Sequence, residues 1–241
     1  MTGFVDLHSH FIPGIDDGAR TKEEGLELLR ALKRCGFERV VATPHMRPGL
    51  FDNTKQRLID AYAAFESAVR GEADLPEIAL SSEHYFDHVV FRRLLDGEGL
   101  PYPGGRAVLL EFYDMDFMQA VENALFDLRR RRIVPVIAHP ERYRCFFRSH
   151  DRLAELVEAG AFALLDLGAL VGKYGKEPEK CARRILEDDL YRAACSDAHR
   201  PEDVEDVEDA IRLVAKRYGK DAVNRLLVEG PRQILEGRVD A

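Results

Sequence analysis

The stretch "VDLHSHFIPGIDDG", residues 5–18, starts as an apolar strand, places two histidines one residue apart and ends on paired aspartates before a glycine. Alternate residues of a strand share a face. Asp6, His8 and His10 are therefore expected on one side, with Val5, Leu7 and Ser9 on the other. Imidazoles and carboxylates gathered in this way are ligands for zinc, iron or manganese. Asp17 can join them from the following loop, ahead of Asp16. Asp6 is expected to orient a ligating imidazole.

Outward from that stretch the same pattern recurs. Short runs rich in Val, Ile, Leu and Phe alternate with segments of helical period, as in repeated βα units around a parallel sheet. Seven strands can be drawn: 4–10, 39–45, 77–85, 107–113, 133–139, 161–168 and 191–199. Helical patterns lie between them, such as "TKEEGLELLRALKRCG" (21–36), with a Thr21/Glu24 capping box and Gly36 as a stop. Two further helical stretches, 202–218 and 221–236, follow the last strand. With no linker or low-complexity tract, residues 1–241 read as one domain, an α/β barrel of seven units whose ligands should gather at the C-terminal strand ends.

The strand ends carry the chemistry. They bear His8 and His10, His45, Glu83, Glu111, His139, and Asp197 with His199, leaving only the sixth strand without an obvious ligand. Five of the eight histidines fall there, which random placement would not produce. Burying so many carboxylates beside imidazoles without cations would cost many kcal/mol. More than one metal ion is therefore expected. His84 should face away from Glu83 and be structural; His88 and His150 receive no role.

Composition narrows the class. A formal charge of −8 argues against a surface for nucleic acid, which needs clustered Lys and Arg. No apolar run approaches a membrane span and the first residues lack a secretion signal, so a cytoplasmic protein is expected. Cys35, Cys145, Cys181 and Cys195 show neither CxxC pairing nor an Arg six positions later. They read as reduced thiols, and a cysteine-dependent phosphatase mechanism is not indicated.

The segments "DLHSH", "PGIDDGA", "ATPH", "SSEHY", "LLEF", "AHPERY", "GALVGKYGK", "CSDAH" and "GPRQIL", in order from near residue 6 to near residue 235, resemble the polymerase and histidinol phosphatase (PHP) superfamily. Within it they are most similar to the bacterial protein-tyrosine phosphatases encoded with capsule and exopolysaccharide genes. That resemblance implies a distorted (β/α)7 TIM-like barrel holding three divalent metals, usually manganese, with zinc or iron as alternatives. Carried over by position, His8, His10 and Asp197 would hold one ion. Glu111 and His139 would hold a second, with Glu83 bridging these two, and Asp17, His45 and His199 would hold the third.

The resemblance also implies two phosphate-binding arginines. Arg142 of "HPER" matches one directly; the second is assigned to Arg200 in "SDAHRPED", where the loop is shortened. The implied chemistry is hydrolysis of a phosphomonoester by metal-bound hydroxide, with inversion and no phosphoenzyme. The leaving-group acid is either His199 or a water on the third ion. The implied substrate is a phosphotyrosine protein, such as the tail of a bacterial tyrosine kinase of polysaccharide export. Phe51, Tyr113, Tyr143 and Tyr174 are candidates for the cleft walls. A small-molecule phosphatase such as histidinol phosphatase, and a catalytically silent regulatory binding module, stand as the alternatives.

Overall fold

The computed structural model describes residues 3–113 and 119–238. The strands are β1 (Phe4–Ser9), β2 (Phe37–Ala42), β3 (His45–Met46), β4 (Glu77–Leu80), β5 (Glu83–Tyr85), β6 (Ala107–Glu111), β7 (Val134–Ala138), β8 (Phe162–Asp166) and β9 (Tyr191–Cys195). They form two arcs, β1-β2-β4 and β3-β5-β6-β7-β8-β9, and every pairing is parallel.

The arcs belong to one ring. The second and third expected strands are each broken, at Thr43-Pro44 and Ser81-Ser82, because Pro44 has no N–H to continue the ladder. Bonds from Ser81 N to Ala42 O (2.8 Å) and from Glu83 N to Pro44 O (3.2 Å) carry the sheet across the break. Bonds from Asp197 N to His8 O (3.0 Å) and from His10 N to Ala198 O (2.9 Å) close β9 onto β1. Seven strand positions thus make a closed, distorted (β/α)7 barrel.

Around it lie α1 (Lys22–Arg34), α2 (Lys55–Val69), α3 (His88–Leu95), α4 (Gln119–Arg130), α5 (Asp151–Glu158), α6 (Lys176–Glu187) and α7 (Asp203–Tyr218). Thr21 caps α1 by accepting from Glu24 N at 3.2 Å, while Glu24 reaches back to Arg20 N at 2.6 Å. The last expected helix is divided into α8 (Lys220–Asn224), a π-helical turn over Arg225–Glu229, and α9 (Gly230–Leu235).

Alternation sorts the apolar side chains into two clusters. Val5, Leu7, Val41, Leu109, Val136, Leu164 and Ala193 pack together with Tyr102, Ile234 and Leu235 inside the ring. Val40, Val108, Leu110, Ile137, Ala163 and Ala194 belong to the larger cluster that meets the helices. With the barrel interior filled by apolar side chains, the candidate ligands gather beyond the C-terminal strand ends. Among the described residues no helix is long and apolar enough to cross a membrane.

Candidate metal centre

All nine sequence-selected carboxylates and imidazoles meet at the C-terminal mouth of the barrel. The potential ligand atoms of His8, His10 and Asp197 lie within 4.8 Å of one another, and the same holds for His10, Asp17, His45 and His199. Glu83 takes part in two further groups, with His8 and His139, and with His45 and Glu111. Glu83 is the hub, fully buried at the centre, with Oε1 at 3.4 Å from His8 Nε2 and 3.0 Å from His139 Nε2, and Oε2 at 3.0 Å from His45 Nδ1.

Strand alternation alone does not deliver these side chains. Val5 and Leu7 point into the barrel, and a register shift between Asp6 and Ser9 turns His8 and His10 toward the mouth. His139 (φ 33°) and Asp197 (φ 44°) follow β7 and β9 in the left-handed region, which costs a non-glycine residue about 1–3 kcal/mol. Each aims its side chain at the cluster. Gly18 passes so close to β1 that a Cβ there would lie 2.1 Å from His10 O. That contact folds the Asp16–Asp17 loop back over the histidines.

The supporting contacts differ from expectation at Asp6. Asp6 orients no imidazole: Oδ1 accepts from the backbone N–H of His8 and Ser196, and Oδ2 from Ser196 Oγ, so it ties β1 to β9. Burial raises its pKa to about 6. The His8 ring is held at Nδ1 by Thr43 Oγ1 instead. Asp16 steadies three groups: Oδ2 pairs with His10 Nδ1 at 2.8 Å and accepts from His45 N at 3.1 Å, and Oδ1 accepts from Gly18 N at 2.9 Å. Asn53, which the sequence did not single out, donates to Ile15 O (3.0 Å) and His45 O (2.8 Å), joining the loops that carry Asp17 and His45.

The centre concentrates opposite charges away from water. Burial opposes charge on His8, yet Glu83 and Asp197 hold its pKa well above the ordinary histidine value. Burial likewise opposes charge on Glu83 and Asp197, but the surrounding imidazoles keep both well below the usual carboxylate range. Glu111, buried and facing Glu83, is pushed up to about 7. Burial and then Arg142 lower His139 to about 4.

Donor chemistry gives the direct test of fit. Among the described residues, His8 Nε2, His10 Nε2, His45 Nδ1, Glu111 Oε2 and Asp197 Oδ1 are buried and make no properly aligned hydrogen bond. Several still lie close together, His8 Nε2 at 3.1 Å and His10 Nε2 at 3.5 Å from Asp197 Oδ1. Buried polar atoms are otherwise almost always satisfied. Converging donor atoms that make no aligned hydrogen bond fit divalent cations, and nitrogen and carboxylate donors without thiolate suit manganese, iron or zinc.

The basic and aromatic candidates divide. Arg142 lies at the edge of the cluster with NH1 2.5 Å from Asp197 Oδ2 and 3.4 Å from Asp166 Oδ2, and its guanidinium carbon is 4.5 Å from the Tyr174 ring centroid. Asp166 ends the sixth strand position, where the sequence showed no ligand, and its role is to hold this arginine. Arg200 NH1 donates to Gly18 O and His199 O, and its Nε faces Glu24. Phe51 lies flat on His45, with centroids 5.2 Å apart, and Tyr113 is 62% exposed. Tyr143 is not a cleft wall: it is buried, its hydroxyl donating to Ala138 O and accepting from Phe112 N. His84 faces away from the centre as expected, bonded to Leu109 O and Leu100 N.

The family model described as capsular polysaccharide synthesis, CpsB/CapC, matches residues 4–236. The chain belongs to the CpsB/CapC family. Among its relatives, the tyrosine-protein phosphatase CpsB of Streptococcus pneumoniae is 29% identical over 96% of this chain and 98% of its own length. The tyrosine-protein phosphatase YwqE of Bacillus subtilis is 30% identical over 90% of this chain and 86% of its own. A crystal structure from work on YwqE and S. pneumoniae CpsB, described there as unique metal-dependent tyrosine phosphatases, superposes with a TM-score of 0.89. It is 28% identical, over 97% of this chain and 94% of the other. The CpsB/CapC match therefore spans both the barrel and the mouth that carries the candidate ligands.

Proposed function

We propose that this CpsB/CapC-family chain is a metal-dependent tyrosine-protein phosphatase, with the tail of a bacterial tyrosine kinase of capsule or exopolysaccharide synthesis as its substrate. The observation that carries the reading is the set of buried, unsatisfied donor atoms converging beside Arg142. Three divalent ions, manganese by preference, are assigned to His8, His10 and Asp197; to Glu111 and His139 with Glu83 bridging; and to Asp17, His45 and His199. When bound, such ions supply Lewis acidity toward phosphoryl oxygens and acidify water into a nucleophile at neutral pH. No protein nucleophile is required.

The chain's own groups do the rest. Arg142 presents a planar fork of N–H donors to the phosphoryl oxygens, its orientation held by Asp166 and Tyr174. Thr43 and Asp16 orient the rings of His8 and His10 through Nδ1, which leaves their Nε2 atoms as the ones that would ligate the ions. His199 is also oriented: Nδ1 bonds Asp197 O at 3.0 Å, which leaves Nε2 as the lone-pair atom. A nitrogen that ligates an ion cannot also protonate the leaving group, so we assign His199 to ligation. A phenolate, whose acid has a pKa of about 10, leaves with less need of protonation than an alkoxide. Arg200 anchors the loops bearing Asp17 and His199, and must release Gly18 O and His199 O to reach a phosphate.

The test is direct. Purified protein should contain more than one divalent ion per chain and hydrolyse a phosphotyrosyl peptide; EDTA should abolish turnover and manganese restore it. Equal or faster hydrolysis of histidinol phosphate would overturn the substrate assignment, and an absence of any hydrolysis by the loaded protein would overturn the enzymatic one.

A further inference from the structure

Among the described residues at the mouth, Arg47 is a cation that makes no ion pair. β3 pairs His45 with Glu83, and β5 pairs Tyr85 with Glu111. Arg47 and Tyr85 stand two residues beyond His45 and Glu83, on the same side and one layer nearer solvent. The Arg47 guanidinium carbon lies 4.1 Å from the Tyr85 ring centroid. A guanidinium stacked by its face keeps its in-plane N–H donors available.

Neighbouring cations are neutralised: Arg142 by Asp197 and Asp166, Lys173 by Asp203, and Arg200 by backbone carbonyls and Glu24. Among the described residues the Arg47 side chain makes no hydrogen bond or ion pair; it lies over the Tyr85 ring, and its charge acts on Glu111 only from a distance, favouring that carboxylate. Its backbone is also fixed. Arg47 N donates to Phe51 O (3.1 Å), Phe51 N returns to Arg47 O (2.7 Å), and Asp52 accepts from Gly49 N (2.8 Å) to close the turn. Leu50 and Tyr113, 60% and 62% exposed, provide apolar surface for an extended peptide.

We infer that Arg47, stacked on Tyr85, is a subsite for an oxyanion carried next to the scissile phosphotyrosine: the carboxylate of an acidic residue, or a second phosphate. The inference rests on the phosphatase reading and adds a substrate preference to it. With the reacting phosphoryl group engaged by the metal centre and Arg142, Arg47 still has N–H donors to offer a second negative group.

The experiment compares kcat/KM of the manganese-loaded protein on three matched phosphotyrosyl peptides, flanked by Glu, by Gln or by a second phosphotyrosine. Wild type should favour Glu over Gln by up to about fivefold, the upper end for a solvent-exposed charge pair, and the preference should shrink in high salt. Arg47→Ala and Tyr85→Leu should bring the ratio near one. Arg47→Glu should invert it, and Arg47→Lys should retain part of it. Whichever of the two anionic peptides shows the larger Arg47-dependent ratio identifies the source of the oxyanion. Unchanged ratios in every variant would overturn the inference, as would equal losses on all peptides, which would place Arg47 on the reacting phosphate instead. If wild type cleaves none of the peptides, it is the phosphatase reading that fails.

Discussion

Substituting Asp16 probes how the candidate centre is held together. Its carboxylate pairs with His10 Nδ1 at 2.8 Å and accepts from His45 N at 3.1 Å and Gly18 N at 2.9 Å. Asp16→Ala removes all three acceptances at once. The two backbone N–H groups would each lose a partner at about 1–3 kcal/mol, so the fold should lose about 2–6 kcal/mol. At about 2–4 °C per kcal/mol for a chain of this size, that is a fall in Tm of about 4–24 °C. Asp16→Asn is the sharper probe, because it keeps one acceptor oxygen while removing the charge that fixes the His10 tautomer. Loss of such an orienting carboxylate weakens metal binding about 10- to 100-fold, or about 1.4–2.7 kcal/mol. The assay is manganese titration of stripped protein, followed by calorimetry and by activation of phosphotyrosyl-peptide hydrolysis. Asp16→Asn should raise the manganese constant by that factor and keep kcat at saturating metal within a few-fold of wild type. An unchanged manganese constant alongside a lowered Tm would show that Asp16 is only a structural brace. A collapse of kcat at saturating metal would place its role outside metal retention.

Other outcomes follow from the same geometry. Arg142→Ala should lower kcat/KM by about 10²-fold or more, the scale for a lost charge-stabilising donor, and Arg142→Lys should recover little because it lacks the fork. Arg200→Ala should cost less than about 10-fold, since its guanidinium bonds Gly18 O and His199 O; kinetics placing Arg200 above Arg142 would reverse that ranking. Asn53→Leu leaves the Ile15 and His45 carbonyls without the Asn53 bonds, so thermal denaturation should show a loss of about 2–6 kcal/mol. Thiol alkylation of the native protein should leave turnover intact, because Cys181 and Cys195 are buried and burial pushes the Cys181 thiol up to about 12. Inactivation by alkylation at an exposed thiol would contradict a mechanism without cysteine.

Much of the barrel and most of the centre were legible in the sequence, because both rest on local repetition. Parallel βα units alternate short apolar runs with amphipathic helices, and a barrel gathers whatever ends those runs, so His8, His45, Glu83, Glu111, His139 and Asp197 could be placed at one mouth from position alone. What local pattern cannot encode is a bond between residues far apart in the chain. The turn of β1 that redirects His8 and His10, Thr43 rather than Asp6 on the His8 ring, and Asp166 beneath Arg142 all depend on such partners. The stacking of Arg47 on Tyr85 does too, across 38 positions of sequence. The sequence by itself determined which chemical groups reach the mouth. Closure of the ring decided which of them touch, because hydrogen bonds and lone pairs act over about 3 Å and only the folded chain sets distances on that scale.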